Sequence, residues 1–287
     1  MRSSRMPVRL LGSLALACGL LAALPAAADE LEAVRAKGEI RVAVYNDFPP
    51  YSAAGKGIDV EMAQAIAGKL GVRADLVWFN ADENMDDDLR NMIWKGHYLG
   101  GRTAQLMMHV PVDPLLQESN DKVRIFAPYH REQLAFARNT LRIPNLAGMA
   151  GLEAFTREKV GAETATIADD FLMGAFGGRI RENVVHFKNL AEAAAALKAG
   201  QVAAVMGPLG ELEGAVGRGA PNIAIEPFRP SGLAVSSWNL GVAVKEDNPD
   251  LAAAVEQAIR ALTADGTVQR IFAGQGVTHT APVVARQ

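Results

Sequence analysis

Apolar residues recur along the chain in two alternating patterns, one typical of strands and one typical of helices. The largely apolar run Ile40 to Tyr45 leads into Pro49 and Pro50, which predicts a strand that enters a loop. Gly71 then ends a segment with helical spacing of apolar residues, which predicts a helix. Its apolar positions are Val60, Ala63, Ile66, Ala67 and Leu70.

The alternation of strand and helix continues to the end of the chain. Further strands are predicted at 74–79, 106–110, 158–164, 184–187, 202–207 and 240–247. Further helices are predicted from Met85 to Gly96, at 167–175, at 191–200, and as one long and one short helix within 249–277. This order predicts two α/β units, each a mostly parallel sheet with helices on both faces.

The first residues have the composition of an export signal. Arg2, Arg5 and Arg9 precede the apolar stretch Leu10 to Leu24, and Ala26 to Ala28 form a small-residue cleavage motif. We therefore predict a signal peptide at 1–28 and a mature chain that begins at Asp29 in the periplasm. A membrane anchor and a lipoprotein attached at Cys18 are the alternatives.

Composition narrows the possible functions of the mature chain. Cys18 is the only cysteine, so the predicted mature chain has no disulfide, thiolate metal site or thiol nucleophile. Removal of three arginines with the signal peptide takes the formal charge from −3 to about −6. This acidic balance gives no support to binding of nucleic acid or anionic membranes.

Four segments resemble the type II periplasmic solute-binding proteins of family 3, which is best known for uptake of polar amino acids. They are the strand and aromatic loop IRVAVYNDFPPYS, the helix GIDVEMAQAIAGKLGV, the segment VRIFAPYHRE and the C-terminal stretch from LGVAVKEDNP to FAGQGV. The resemblance implies a two-lobed fold with two crossing strands as a hinge. Lobe 1 would comprise 38–131 and 241–287, and lobe 2 would comprise 132–240.

The resemblance also implies a ligand between the lobes, at the ends of the strands. The expected ligand-binding residues follow the strands or lie near the hinge. They are Asn46, Asp47, Phe48, Tyr51, His109, Pro111, Asp113, Tyr129, Arg131, Thr164, Thr166 and Met206.

The chain departs from the family where amino acids are normally held. The family's third strand is followed by a threonine and by an arginine that clamps the ligand carboxylate, and Pro111 and Pro114 stand at those positions. Thr166 alone remains of a pair of threonines in the second lobe, and Gly207 follows Met206 where an aspartate for the ammonium group is expected. We infer that the chain does not hold amino acids by the usual clamp.

The stretch LMMHVPVDP, 106–114, therefore suggests a different ligand. Its prolines remove N–H donors, and His109 and Asp113 offer a ring nitrogen and a carboxylate. Such a site favours an uncharged or cationic solute, or a metal, over a carboxylate. The alternative is that His109 is a packed core residue and Asp113 only caps a turn.

An acidic helix start raises the question of a metal, with Asp82, Glu83 and Asp86 as weak candidates. Helix-dipole complementarity explains these acids equally well, and no EF-hand spacing is present. The sequence contains no catalytic or nucleotide-binding motif, so we expect no enzyme activity and no cofactor.

The leading interpretation is a monomeric periplasmic protein that binds a small solute and delivers it to an inner-membrane ABC permease. The alternative is an accessory protein of a periplasmic quinoprotein methanol or alcohol dehydrogenase, because a branch of the family has that role.

Overall fold

A computed structural model describes residues 29–229, 233 and 235–283, and the predicted signal peptide at 1–28 lies outside them. Eleven strands occur in this part of the chain: β1 Glu39–Tyr45, β2 Asp47–Phe48, β3 Ser52–Ala53, β4 Arg73–Phe79, β5 Leu106–Pro111, β6 Val123–Asn139, β7 Val160–Glu163, β8 Val184–Phe187, β9 Ala204–Pro208, β10 Ile223–Pro227 and β11 Ser237–Lys245. Its α-helices are α1 Glu30–Lys37, α2 Ile58–Leu70, α3 Met85–Leu89, α4 Pro114–Ser119, α5 Gly148–Gly151, α6 Ile167–Gly178, α7 Leu190–Lys198, α8 Leu209–Val216, α9 Pro249–Ala264 and α10 Thr267–Gly274.

The central sheet has the strand order β4-β1-β5-β11-β6-β9-β7-β8, with β10 paired to β6. Parallel pairs hold β1 between β4 and β5, and β7 between β8 and β9. The long strand β6 joins these two sections. Its first half pairs with β11, whereas Leu134 to Arg138 pair with β9.

Each sheet section is packed with apolar side chains on both faces, as the near-continuous apolar strands predict. Around β1 and β5, one core contains α2, α9 and α10, and the other contains α3 and its neighbours. Around β7 and β9, α6 covers one face and α7 with α8 covers the other. Two separate pairs of cores thus flank β6.

The predicted strands and the main predicted helices are present, with two local differences. The helix from Met85 widens into a π-helical turn at Arg90–Trp94, where the Lys95 amide donates to the Arg90 carbonyl. Helix α6 continues to Gly178, beyond the expected end at Ala175, through backbone angles at Ala175 to Gly177 that are not helical.

No helix in the described part of the chain is both long and apolar enough to cross a membrane.

Candidate functional site

A cavity of about 590 Å³ lies at the carboxyl ends of β1 and β5. This is the edge at which open α/β sheets bind ligands, because the loops that follow the strands meet there. We call it the main cavity. Its lining residues are Tyr45, Asn46, Asp47, Phe48, Asn80, Ala81, Met85, His109, Pro111, Glu132, Glu211, Trp238 and Leu240.

His109 lies in β5 with a strained backbone, since its φ of 61° is rare for residues other than glycine. Its side chain is 11% exposed and lines the main cavity. Nδ1 of His109 lies 3.2 Å from Oδ2 of Asp59, but their orientation does not make a hydrogen bond. The other carboxylate oxygen of Asp59 accepts a hydrogen bond from the Tyr129 hydroxyl at 3.0 Å.

Aromatic rings form one wall of the main cavity. The ring of Phe48 meets the imidazole of His109 edge-on at a centroid distance of 4.8 Å and stacks on Tyr51 at 5.5 Å. Tyr51 is buried, and its ring packs against the imidazole of His109 at a centroid distance of 4.2 Å. Phe48 is thus fixed by its neighbours, and it offers apolar surface to the cavity.

Glu132 is a buried carboxylate that accepts hydrogen bonds from three donors. It accepts from the Tyr51 hydroxyl at 2.6 Å, the Gln133 amide at 2.7 Å and the Gly210 amide at 3.2 Å. The Gly210 amide belongs to the first turn of α8, where a negative charge is favoured by the helix dipole. Burial nevertheless raises the pKa of Glu132, because the charged form loses its water.

Glu211 is the second glutamate in the lining of the main cavity. It follows Gly210 in α8, is partly buried, and has no hydrogen-bond partner among the described residues. Burial raises the pKa of Glu211 well above its usual range, and the nearby carboxylates of Glu132 and Glu163 add to this.

Two smaller cavities adjoin the main cavity and share Phe48 and Glu211 with it. The second cavity, of about 340 Å³, is lined by Glu163, Thr166, Met206 and Trp238 among others. The third, of about 330 Å³, lies beside Asp47, Pro50 and Glu163. Glu211 therefore stands where the three spaces meet.

The structure brings several of the predicted site residues together. Asn46, Asp47, Phe48, His109 and Pro111 line the main cavity, and Thr166 and Met206 line the second. Tyr51 and Tyr129 are buried, where their hydroxyls hold Glu132 and Asp59.

Three other predicted site residues lie away from these cavities. Asp113 is the N-cap of α4 and accepts from the amides of Leu115 and Leu116. The guanidinium of Arg131 donates to Ser237, and the hydroxyl of Thr164 donates to the Phe187 carbonyl.

Sequence reasoning missed Glu132, Glu211 and Trp238. Glu132 follows Arg131 in the strand, and consecutive strand residues point to opposite faces. Glu211 lies only three residues beyond Pro208, where β9 ends, so its position in the first turn of the following helix was the available signal. Trp238 had no such signal, because it reaches the cavity only through the pairing of β11 with β6.

The acidic side chains before and within the first turn of α3 contact other groups of the protein. Asp82 accepts from the Asn91 amide group and Asp86 from that of Asn120, while Asp87 pairs with Arg90. Glu83 is exposed. No group of three His, Cys, Asp or Glu in the described ranges could hold a metal ion, and we do not propose one.

Comparison with solved structures shows the fold. An ancestral cationic amino acid solute-binding protein superposes with a TM-score of 0.69 at 18% identity, covering 86% of this chain and 99% of that one. An amino acid ABC transporter substrate-binding protein from Streptococcus pneumoniae, bound to L-arginine, gives 0.58 at 21% identity, covering 87% and 99%. A solute receptor for L-cysteine from Neisseria gonorrhoeae gives 0.57 at 23% identity, covering 85% and 92%.

The expected α/β fold, the two-lobed type II periplasmic binding protein architecture, is therefore confirmed. These three structures are described as solute-binding proteins or receptors, and a further matching structure is described as an ancestral amino acid-binding protein that is a precursor of cyclohexadienyl dehydratase. No protein-family model and no curated protein matches the sequence.

Proposed function

We propose that this protein captures a small solute in the periplasm by closing two lobes around it, and that it delivers the solute to an inner-membrane ABC permease. The lobes would be 38–131 with 241–287, and 132–240. The signal peptide predicted at 1–28 supports the periplasmic location. The absence of catalytic motifs from the sequence supports a binding role without catalysis.

The main cavity is the observation that carries the proposal. Its walls come from the loops after β1 and β5 on one side and from Glu211 of α8 on the other. Glu132 and Trp238 lie between them, on the two strands that pair where the sheet sections join. A rotation about these strands would open and close the cavity, as hinge motion does in binding proteins.

The test begins with the mature chain purified natively, because a bound solute would remain with it. Mass spectrometry of the molecules released on denaturation should identify that solute. When the protein is refolded and the solute is added back, the radius of gyration in small-angle scattering should decrease. In a Trp78→Phe, Trp94→Phe background, addition of the solute should also change the fluorescence emission of Trp238. Binding with no change in scattering would contradict hinge closure.

The accessory role in a quinoprotein dehydrogenase system stays a prediction from the sequence. The three solved structures named above are described as amino acid or solute-binding proteins, and no described feature of the cavity favours the accessory role. Co-purification with a dehydrogenase, combined with the absence of any released solute, would support it over transport.

A further inference from the structure

Apart from His109 in the main cavity, the charged side chains that line the three cavities are acidic. Asp47 and Glu132 line the main cavity, Glu163 lines the other two, and Glu211 lines all three. None of the described lining residues is lysine or arginine. The cavities are therefore negatively charged wherever these carboxyls are ionised.

Glu211 has no compensating group within the described protein. The neighbouring carboxylate of Glu132 is held by the Tyr51 hydroxyl and two amides, but Glu211 has no such donor. A carboxylate that is partly removed from water, lies near other carboxylates and has no hydrogen-bond partner is destabilised, so a cation at this point would be favoured.

The walls beside Glu211 suit the body of an organic cation. Phe48 and Trp238 line both the main and the second cavity. Neither ring is covered by a cationic side chain in the described part of the chain, where the cation–π contacts lie at Phe126 and Phe176. Aromatic faces next to a carboxylate attract ammonium groups that carry apolar substituents.

An amino acid fits this lining poorly. Its α-carboxylate would lose water beside Glu132 and Glu211, with no lysine or arginine in the lining to receive it. Pro111 stands where the family has a threonine, and it offers no N–H or hydroxyl donor to a carboxylate.

We infer that the solute is an organic cation without a carboxylate, an amine or quaternary ammonium on an apolar body, with Glu211 as its ion-pair partner and Phe48 and Trp238 as its walls. This inference rests on the proposed function and specifies the chemical class of its ligand.

Matched pairs of compounds test the class. In each pair, the second compound has a carboxylate that the first lacks. The pairs are phenethylamine and phenylalanine, tyramine and tyrosine, cadaverine and lysine, and choline and glycine betaine. In addition, 2-phenylethanol is the neutral analogue of phenethylamine. Titration calorimetry on the refolded mature chain should show at least one amine or choline binding tenfold or more tightly than its carboxylated counterpart. Tighter binding of the carboxylated compounds, or of the alcohol, would overturn the inference and leave solute capture standing.

Failure of the proposed function gives a different result. In that case neither the cations nor their counterparts bind, and natively purified protein releases no small molecule. Binding of a released solute that is anionic or neutral would overturn the inference alone.

Substitution of Glu211 identifies the ion-pair partner. Glu211→Gln should weaken binding of the cation tenfold or more, because the amide keeps the shape but not the charge. Glu192→Gln is the matched control, since Glu192 is exposed in α7 and lines none of the three cavities. Unchanged affinity in Glu211→Gln would rule out this residue as the partner.

Binding should also release a proton. A cation favours the charged form of Glu211, whose pKa is raised in the empty site, so affinity should increase with pH as Glu211 ionises. The titratable groups around it are Glu132, Glu163, Asp47, His109 and the hydroxyl of Tyr51. Calorimetry in two buffers of different ionisation enthalpy measures the proton, which should disappear in Glu211→Gln. Equal proton release in the variant would contradict the assignment.

Discussion

At the scale of single residues, close packing around Glu132 decides how the cavity floor is built. A β-carbon on Gly210 would overlap the Tyr51 hydroxyl and lie 2.8 Å from Oε2 of Glu132. The position therefore requires glycine because a buried hydrogen bond occupies the space, although its backbone is helical.

We expect Gly210→Ala to lower the free energy of unfolding by about 1–3 kcal/mol, because overpacking would separate the Tyr51 hydroxyl from Glu132. Urea denaturation measures the change. Gly174→Ala is the control: Gly174 is exposed in α6 with free space around it, so alanine there should be neutral or stabilise by about 0.5–1 kcal/mol. Equal effects of the two substitutions would contradict the packing argument.

His130 gives the protein a specific sensitivity to acid. Its buried ring packs on Phe272 at 4.4 Å and accepts a hydrogen bond from the Thr280 amide. Burial lowers the pKa of His130 to about 3, and the nearby imidazoles of His279 and His109 contribute. The folded protein therefore keeps His130 neutral at pH values where an unfolded chain protonates it.

The stability contributed by His130 should be present above about pH 6.5 and be lost as the pH falls toward 3. Between pH 7 and pH 5 this group should remove about 2 kcal/mol from the free energy of unfolding. His130→Asn should have a lower free energy of unfolding than wild type at pH 7, and that free energy should fall less than in wild type between pH 7 and pH 5. A variant with the wild-type pH slope would show that another group is responsible.

At the scale of secondary-structure elements, helix capping explains the role of residues for which the sequence alone left two roles possible. The stretch 106–114 was expected to present His109 and Asp113 to a ligand or to use Asp113 as a turn cap. The structure divides the two roles: His109 lines the main cavity, and Asp113 caps α4. Pro114 occupies the first position of that helix, where its missing N–H has no intrahelical partner to lose.

Asp113→Ala should lower the free energy of unfolding by about 1 kcal/mol, because two amides of α4 lose their acceptor. Asp113→Ser should retain most of the stability, since serine is also a good N-cap. Both variants should bind the solute like wild type in calorimetry. Loss of affinity in Asp113→Ala at unchanged stability would return this residue to the binding site.

At the scale of the whole molecule, a contact between the C-terminal segment and α8 bears on the proposed closure. Glu213 of α8 accepts hydrogen bonds from the amide of Thr278 at 2.6 Å and from its hydroxyl at 2.7 Å. Thr278 follows α10, which packs with α2 and α9, whereas α8 packs on the second sheet section. In the proposed division, this contact joins the two lobes.

Glu213→Ala should therefore favour the open form of the empty protein and weaken solute binding about two- to fivefold, the equivalent of one exposed hydrogen bond. Scattering should give a larger radius of gyration for the empty variant, and calorimetry the affinity. Glu192→Ala, on the neighbouring helix α7, is the control and should change neither. An unchanged affinity and radius for Glu213→Ala would show that this contact does not control closure.

The sequence was sufficient for the local architecture. The apolar runs and glycine stops located β1, β5, α2 and α9 to within a few residues, because strand and helix periodicity depend on neighbours along the chain. Short elements such as α4 and α5 were missed, since few apolar positions distinguish them from loops. The sequence also predicts that the usual amino acid clamp is missing, because this prediction depends only on which residues follow the strands, and it stays a prediction.

Tertiary structure alone decided how the cavity is charged. Glu132, Glu163 and Glu211 lie far apart in the sequence, on β6, β7 and α8, and no local pattern relates them. Pairing of β6 with β11 and β9 brings these elements to one edge of the sheet, where burial raises the pKa values of all three carboxyls. Charge and solvation depend on neighbours in space, so the sequence left an uncharged solute, a cationic solute and a metal as alternatives, and only the folded chain supports the proposal of an organic cation.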